Sequence, residues 1–321
     1  MTGRTTDCTI DWSPVTAADW DEHFRLLRRS TLLQHFPYAK AERVINQIGA
    51  RHGIIKIDGV AAGLVQIGEV GLFRNLVHVV NLDRGPMWFE GFDTALNAAA
   101  FFAAFSRQFP KRFGRRIRVL PELEDCGPNR ALMEKAGLRR NDRYHGYETI
   151  WVDLTSTPDR LRAKLDGNWR RFLGKAERTH LTVAEDWTCE TAGGFLATYA
   201  ADRAAKNYSG PSQKMLDALL TFMVPRGEAV ILNALDGEKT VAALLILIHG
   251  TSATYQVGWN LPEGRKLWAH HRLFWHAMLM LRDRGVRDFD LGGINDESAQ
   301  GIKRFKEGLG GQFVKLVGFY A

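Results

Sequence analysis

The residue types best suited to chemistry gather near the end of the chain. Asp290, Leu291, Gly292, Gly293 and Ile294 precede the cations Lys303, Arg304 and Lys306, and Gly308, Gly310 and Gly311 follow. Cationic side chains beside glycine backbone, whose amides no Cβ shields, suit a negative charge: a phosphate, or the oxyanion that forms when an acyl group is transferred. The same pattern also fits a glycine-rich turn running into a solvated basic helix. Asp290 and Asp296 flank the first glycine pair, where a carboxylate can accept a proton from an amine or cap the loop. Elsewhere reactive types are sparse. His270, His271 and His276 do not repeat at i,i+4 along their expected helix, which argues against a metal site. Cys8, Cys126 and Cys189 are far apart and form no CxxC, so they read as reduced thiols. No GxxxxGK[ST] or HExxH occurs, and no GxSxG falls in a fitting context.

The elements that must hold these residues can be read from apolar spacing and turn residues. Val286, Phe289 and Leu291 mark a short buried strand that stops at Gly292; a helix over 298–307 then carries the three cations, and a last strand covers 312–320. Upstream, Asp236-Gly237 joins strands over 230–235 and 241–248, followed by a strand at 252–258 and a helix at 267–284. The first half has the same order: a hairpin around Asp58-Gly59, a strand at 77–82, a helix at 92–109 and a strand at 116–120, then a short helix at 129–137 and a strand at 147–154. A helix over 16–33 comes before them. Repeated order predicts an α+β protein with an internal duplication and a boundary near 154–158. Between the halves, Leu161, Leu165, Trp169 and Phe172 form one face of a helix whose other faces carry Arg170, Arg171 and Lys175, giving an amphipathic, basic segment.

Composition agrees with a folded, sizeable protein: 321 residues with 45% hydrophobic content exclude a disordered chain and predict one large or two medium domains. Lys and Arg outnumber Asp and Glu by 43 to 36, and the net charge of +7 favours an anionic partner such as RNA, a nucleotide sugar or a membrane surface. The first residues lack a signal-peptide core and the most apolar run, 241–248, is too short to span a bilayer, so the expected location is cytoplasmic.

The run from Asp290 through Gly301, Ile302, Phe305, Lys306, Gly308, Gly310 and Gly311 resembles the C-terminal signature of the Fem-type aminoacyltransferases, which are tRNA-dependent peptidyl transferases of the GNAT (GCN5-related N-acetyltransferase) superfamily. The resemblance implies two tandem GNAT-like domains, 1–154 and 155–311, each a mixed, mostly antiparallel sheet flanked by helices, with 312–321 returning to the first sheet. It implies transfer of an aminoacyl group from aminoacyl-tRNA to an amine of a peptidoglycan precursor or similar acceptor. Such ester aminolysis runs downhill and requires neither metal nor cofactor. Lys306 matches the family's lysine beside the reacting carbonyl, Phe305 an aromatic that stacks on the terminal bases of the tRNA, and Tyr255 a strand tyrosine at the acceptor, placed on the same strand face as Val257. Arg203 and its neighbour Tyr208 fall at the acceptor site. Gln34, Tyr38 and Lys40 follow the order of a glutamine, an aromatic and a lysine that meets the substrate's diphosphate. Arg170, Arg171, Lys175, Lys303 and Arg304 are the implied tRNA contacts. The chain departs from the family at Tyr208-Ser209-Gly210-Pro211, where many members carry an aromatic after the arginine.

Two other readings stay open. An acyl-CoA or acyl-carrier donor would keep the fold, although residues 262–269 lack the Q/R-x-x-G-x-G/A turn that holds a pyrophosphate. A non-catalytic RNA- or nucleotide-binding module would account for the charge.

Overall fold

A computed structural model describes residues 6–144, 146–294 and 300–321. The chain divides into two compact units, one comprising the part up to Glu148 together with Lys315–Ala321, the other Thr149–Val314.

The first unit contains strand β1 (Cys8–Asp11), helices α1 (Ala17–Phe24) and α2 (Phe36–Asn46), strands β2 (Gly49–Ile57), β3 (Val60–Leu72), β4 (Val77–Gly85) and β5 (Met87–Trp88), helix α3 (Ala95–Gln108), strand β6 (Arg115–Pro121) and helix α4 (Gly127–Lys135). Its sheet runs β1-β2-β3-β4-β6, with β5 against β3. Asp58 and Gly59 both take positive φ, 49° and 83°, as a two-residue turn matched to strand twist requires. The helix expected over 16–33 stops at Phe24, because Leu27 is drawn into a bridge with Phe89. Phe101, Phe102 and Phe105 of α3 pack on Ile55, Val65, Val80 and Val119, and Val317 and Tyr320 belong to the same core.

The second unit starts within β7 (Glu148–Asp153) and continues through α5 (Pro158–Lys164), α6 (Gly167–Ala176), β8 (Thr182–Asp186), α7 (Ala192–Lys206), α8 (Gln213–Met223), β9 (Ala229–Asp236), β10 (Lys239–His249), β11 (Ser252–Asn260), α9 (Pro262–Lys266), α10 (Ala269–Asp283), β12 (Asp288–Asp290), α11 (Gln300–Glu307) and β13 (Gln312–Lys315). Its sheet runs β13-β7-β12-β11-β10-β9-β8. The expected boundary after Leu154 therefore moves upstream: β7 pairs antiparallel with β12, so it is part of the second sheet. The expected last strand divides as well. Gln312–Lys315 lies beside β7, while Tyr320 exchanges two backbone hydrogen bonds with Val119 of the first unit, of 2.9 and 2.8 Å. The single basic helix expected between the halves is two helices. Leu165, in extended conformation, ends the first, and Asp166 caps the second, its carboxylate accepting from the amides of Asn168 and Trp169.

Among the described residues each unit holds a parallel strand pair connected through a helix, β4-α3-β6 and β11-α10-β12, and the two pairs differ. In the first, pairing runs from His78↔Arg115 to Gly85↔Pro121. In the second it covers only Ser252↔Asp288 to Thr254↔Asp290, after which the strands part. Two local causes are visible. Gly292 turns the chain at φ +72°, and Gln256 is an extra residue between Tyr255 (opposite Ile246) and Val257 (opposite Leu245).

Candidate functional site

The glycine loop begins where β12 ends. Asp290 is 1% exposed, and its carboxylate accepts hydrogen bonds from the Thr149 hydroxyl and, at 2.9 Å, from the Gly292 amide. The loop is thus fixed from β7 on one side. A Cβ on Gly292 would come within 2.9 Å of the Tyr255 carbonyl oxygen, so the close approach of β11 as well as the positive φ requires glycine there. Asp290 is turned inward as a loop cap, with no surface left for direct contact with a substrate. Asp296 lies outside the described residues.

Lys306 comes from α11 and is 5% exposed. Its Nζ donates to the carbonyl oxygens of Gly292 at 3.3 Å and Gly293 at 3.0 Å, and it stands 5.3 Å from the centre of the Tyr255 ring. Burial lowers its pKa to about 8, opposed by the negative charge of Asp290. An ammonium has three donors and the two glycine carbonyls use two. The site accordingly presents a dehydrated cation, held on the open side of the strand pair, that can donate to a further oxygen.

Tyr255 lies on the Ile246 side of the sheet, half-buried, edge-on to Phe274 with ring centres 4.9 Å apart. The expected shared face with Val257 is corrected, since the bulge at Gln256 reverses the alternation and sends Val257 to the opposite side. Burial, reinforced by Tyr208, Tyr199 and Asp202, raises the phenol's pKa, so it remains a protonated donor at neutral pH. Phe305 sits in an aromatic cluster, 5.7 Å from Trp169, 5.0 Å from His271 and 5.3 Å from Phe274 between ring centres. It is partly buried, and it ties α11 to α6 and α10. Burial holds His270 and His271 at a pKa of about 4, hence neutral.

The basic residues fall on two helices in contact, because Asp166 at the start of α6 donates its amide to Gly308 just after α11, at 2.9 Å. Arg170, Arg171 and Arg304 are exposed. Lys175 lies over the Trp268 ring and Lys303 over that of Phe313, at 4.9 and 5.4 Å. Arg203 donates to the carbonyls of Gly210 and Pro211, at 3.0 and 2.8 Å, and so closes the loop between α7 and α8. In that loop the Tyr208 hydroxyl donates to Asp202 at 3.3 Å.

The remaining candidates lie in the first unit. Lys40 is exposed on α2, 5.4 Å from the Phe36 ring centre. Gln34 is buried, donating to the Gln66 and Asp83 carbonyls and accepting from the Gln66 amide, which makes it a link between a short turn and the sheet. Tyr38 lines a cavity of about 290 Å³ with Glu42, Asp83 and Arg118. Thr149 and Trp169, which support the lysine loop and Phe305, carry no signal as functional residues in the sequence, since each lies more than a hundred residues from its partners.

Residues 159–307 match the family model described as an acetyltransferase (GNAT) domain, a span that includes Tyr255, the glycine loop and Lys306. No curated protein matches in sequence. Among solved structures, FemX is similar at 14% identity with a TM-score of 0.79, over 98% of this chain and 96% of that one. The C-terminal domain of a candidate lysylphosphatidylglycerol synthetase from Agrobacterium fabrum is similar at 15% identity and a TM-score of 0.55, over 95% and 91% of the two chains. A tandem GNAT protein from the clavulanic acid biosynthesis pathway is similar at 14% identity and a TM-score of 0.50, over 98% of both. The fold is therefore α+β, a tandem pair of GNAT-like units shared with FemX.

Proposed function

We propose that this chain is an acyltransferase that forms an amide, with Lys306 stabilising the oxyanion and an aminoacyl-tRNA as donor. The observation that carries the reading is the buried ammonium of Lys306, fixed by the Gly292 and Gly293 carbonyls where β11 and β12 part. In the reaction a neutral amine attacks the ester carbonyl, whose oxygen becomes anionic and accepts from the lysine. Collapse expels the 3′-oxygen of the nucleotide, which takes up a proton as the amine loses one, leaving an amide and a free hydroxyl. A preorganised cation in a water-poor site favours the charged intermediate over the neutral ester. Tyr255, a protonated phenol whose ring lies beside the lysine, is the proposed donor to the same centre or to the acceptor. The touching basic helices α6 and α11 supply Arg170, Arg171, Lys175, Lys303 and Arg304 for a phosphate backbone. Fold likeness to FemX and the signature around Lys306 support a peptidoglycan precursor or a similar amine as acceptor, with Arg203 and Tyr208 as its proposed contacts; the resemblance separately assigns Lys40 of the first unit to a substrate diphosphate. The domain assignment proposed with it places transfer in the second unit, where the parallel strands open.

An acyl thioester is the second donor reading, favoured by the acetyltransferase description of the matching domain. Incubation with charged tRNA or with acyl-CoA, following donor consumption and product mass with candidate amines, separates the two. RNase-sensitive product is expected; RNase-resistant turnover of acyl-CoA alone would replace the tRNA reading. Lys306→Ala should lower kcat/KM about a hundredfold or more with the fold intact, and an unchanged rate would remove the lysine from the chemistry.

A further inference from the structure

The first unit carries a feature that acyl transfer leaves unused. The turn between β3 and β4 exposes every residue from 71 to 77, among them Leu72, Phe73, Leu76 and Val77, with Phe73 80% exposed. Beside it, the loop entering β6 exposes Phe113 to 93%. Scattered exposed apolar side chains are ordinary, but five in two adjoining loops make a patch.

The loops are fastened together. Arg112 donates from its guanidinium to the carbonyls of Leu76, at 3.2 Å, and Asn75, and His78 donates its amide to Gly114 at 2.8 Å. Gly114 takes φ +75° against the Leu76 carbonyl, where a Cβ would be 2.1 Å away. Phe73, Arg74 and Asn75 all take positive φ, between 51° and 65°, a conformation that side chains resist and that the surrounding bonds sustain. The apolar tips are therefore held outward by a built scaffold.

Charge identifies the occupant. Arg74, Lys111, Arg112 and Arg116 are exposed in the same two loops, Arg115 being turned back onto the Pro110 carbonyl and Glu69, and no carboxylate occurs in 70–77 or 110–118. Apolar and aromatic tips ringed by long cationic side chains match the layering of an anionic bilayer, with acyl boundary at the tips and phosphates around them. We propose that this end of the first unit docks on an anionic membrane surface, the phenylalanines entering the headgroup boundary and the cations meeting lipid phosphates. It does not depend on the donor or acceptor assigned above.

Co-sedimentation of the full chain with vesicles tests it. Binding is expected to phosphatidylcholine vesicles containing phosphatidylglycerol, weakening with added salt, and to be much lower with phosphatidylcholine alone. Phe73→Ser with Phe113→Ser should lower partitioning about tenfold or more, and Arg74→Glu with Arg116→Glu should remove the preference for phosphatidylglycerol. Hydrogen exchange of the unaltered protein should show vesicle-induced protection in 71–77 and 111–116. Failure to bind anionic vesicles at low salt, equal binding by the serine variant, or protection elsewhere only would overturn the proposal. So would a dimer in light scattering that the serine variant dissolves, since a second copy would then cover the patch.

Discussion

Lys306 is where burial, charge and chemistry meet. Its proton affinity is lower in the folded chain, with a pKa of about 8 against the ordinary lysine value of 10.5, so between those values the unfolded chain binds more protons. Stability contributed by this group therefore rises with pH across that window, and the penalty for a buried ammonium, ~3 kcal/mol, is full below about pH 8. Lys306→Met should be more stable than the parent at pH 7 by up to that amount, less the lost hydrogen bonds, the gap closing towards pH 10.5. Denaturant unfolding at both pH values checks it; a gap that widens with pH would contradict the assigned burial. For activity the sign is opposite: a cationic role predicts single-turnover transfer that falls as pH passes about 8. A rate still climbing through pH 9 with an acceptor that is fully deprotonated would make the lysine a base instead.

At the scale of elements, the loop from Asp290 to Gly293 sets the lysine's position and field. Asp290 raises the pKa of Lys306, so Asp290→Asn should move the alkaline fall in activity to lower pH, beyond any loss from loosening the Thr149 contact. A profile shifted the other way would show that the carboxylate does not act on the lysine. Gly292→Ala forces a Cβ into positive φ and against Tyr255, and should destabilise by about 1–3 kcal/mol with a larger fall in rate than in substrate binding. On the adjoining helices, Arg170→Glu with Arg171→Glu should weaken tRNA binding and flatten its dependence on salt; an unaltered slope would remove α6 from the interface. The break at Asp166 was foreshadowed by its Asp-Gly pair, a good start for a second helix, yet the uninterrupted apolar spacing from Leu161 to Phe172 masked it.

For the molecule as a whole, the two units use one architecture and differ at the parallel strands, zipped in the first and opened in the second. The end of the chain returns to the first unit, where Tyr320 is 1% exposed and bonded to Val119 through both backbone groups. Tyr320→Ala should cost about 3–5 kcal/mol in the stability of that unit, measurable by chemical unfolding. Marginal loss would mean that the last residues only decorate it. No helix among the described residues is long and apolar enough to cross a membrane.

Much of this was legible in the order of residues because the information is local. Asp58-Gly59 and Asp236-Gly237 specify their hairpins within a few residues, and Gly292, Phe305 and Lys306 fall within one short stretch whose composition suits an anion, as proposed above. Repetition of strand and helix order announced the duplicated α+β fold. What the tertiary structure alone decided are pairings across long separations: β7 entering the second sheet, Thr149 reaching Asp290 across 141 positions, and the bulge at Gln256 that turns Tyr255 towards α10. Such contacts depend on which surfaces meet once apolar area is buried, and no spacing along one chain encodes the meeting partner.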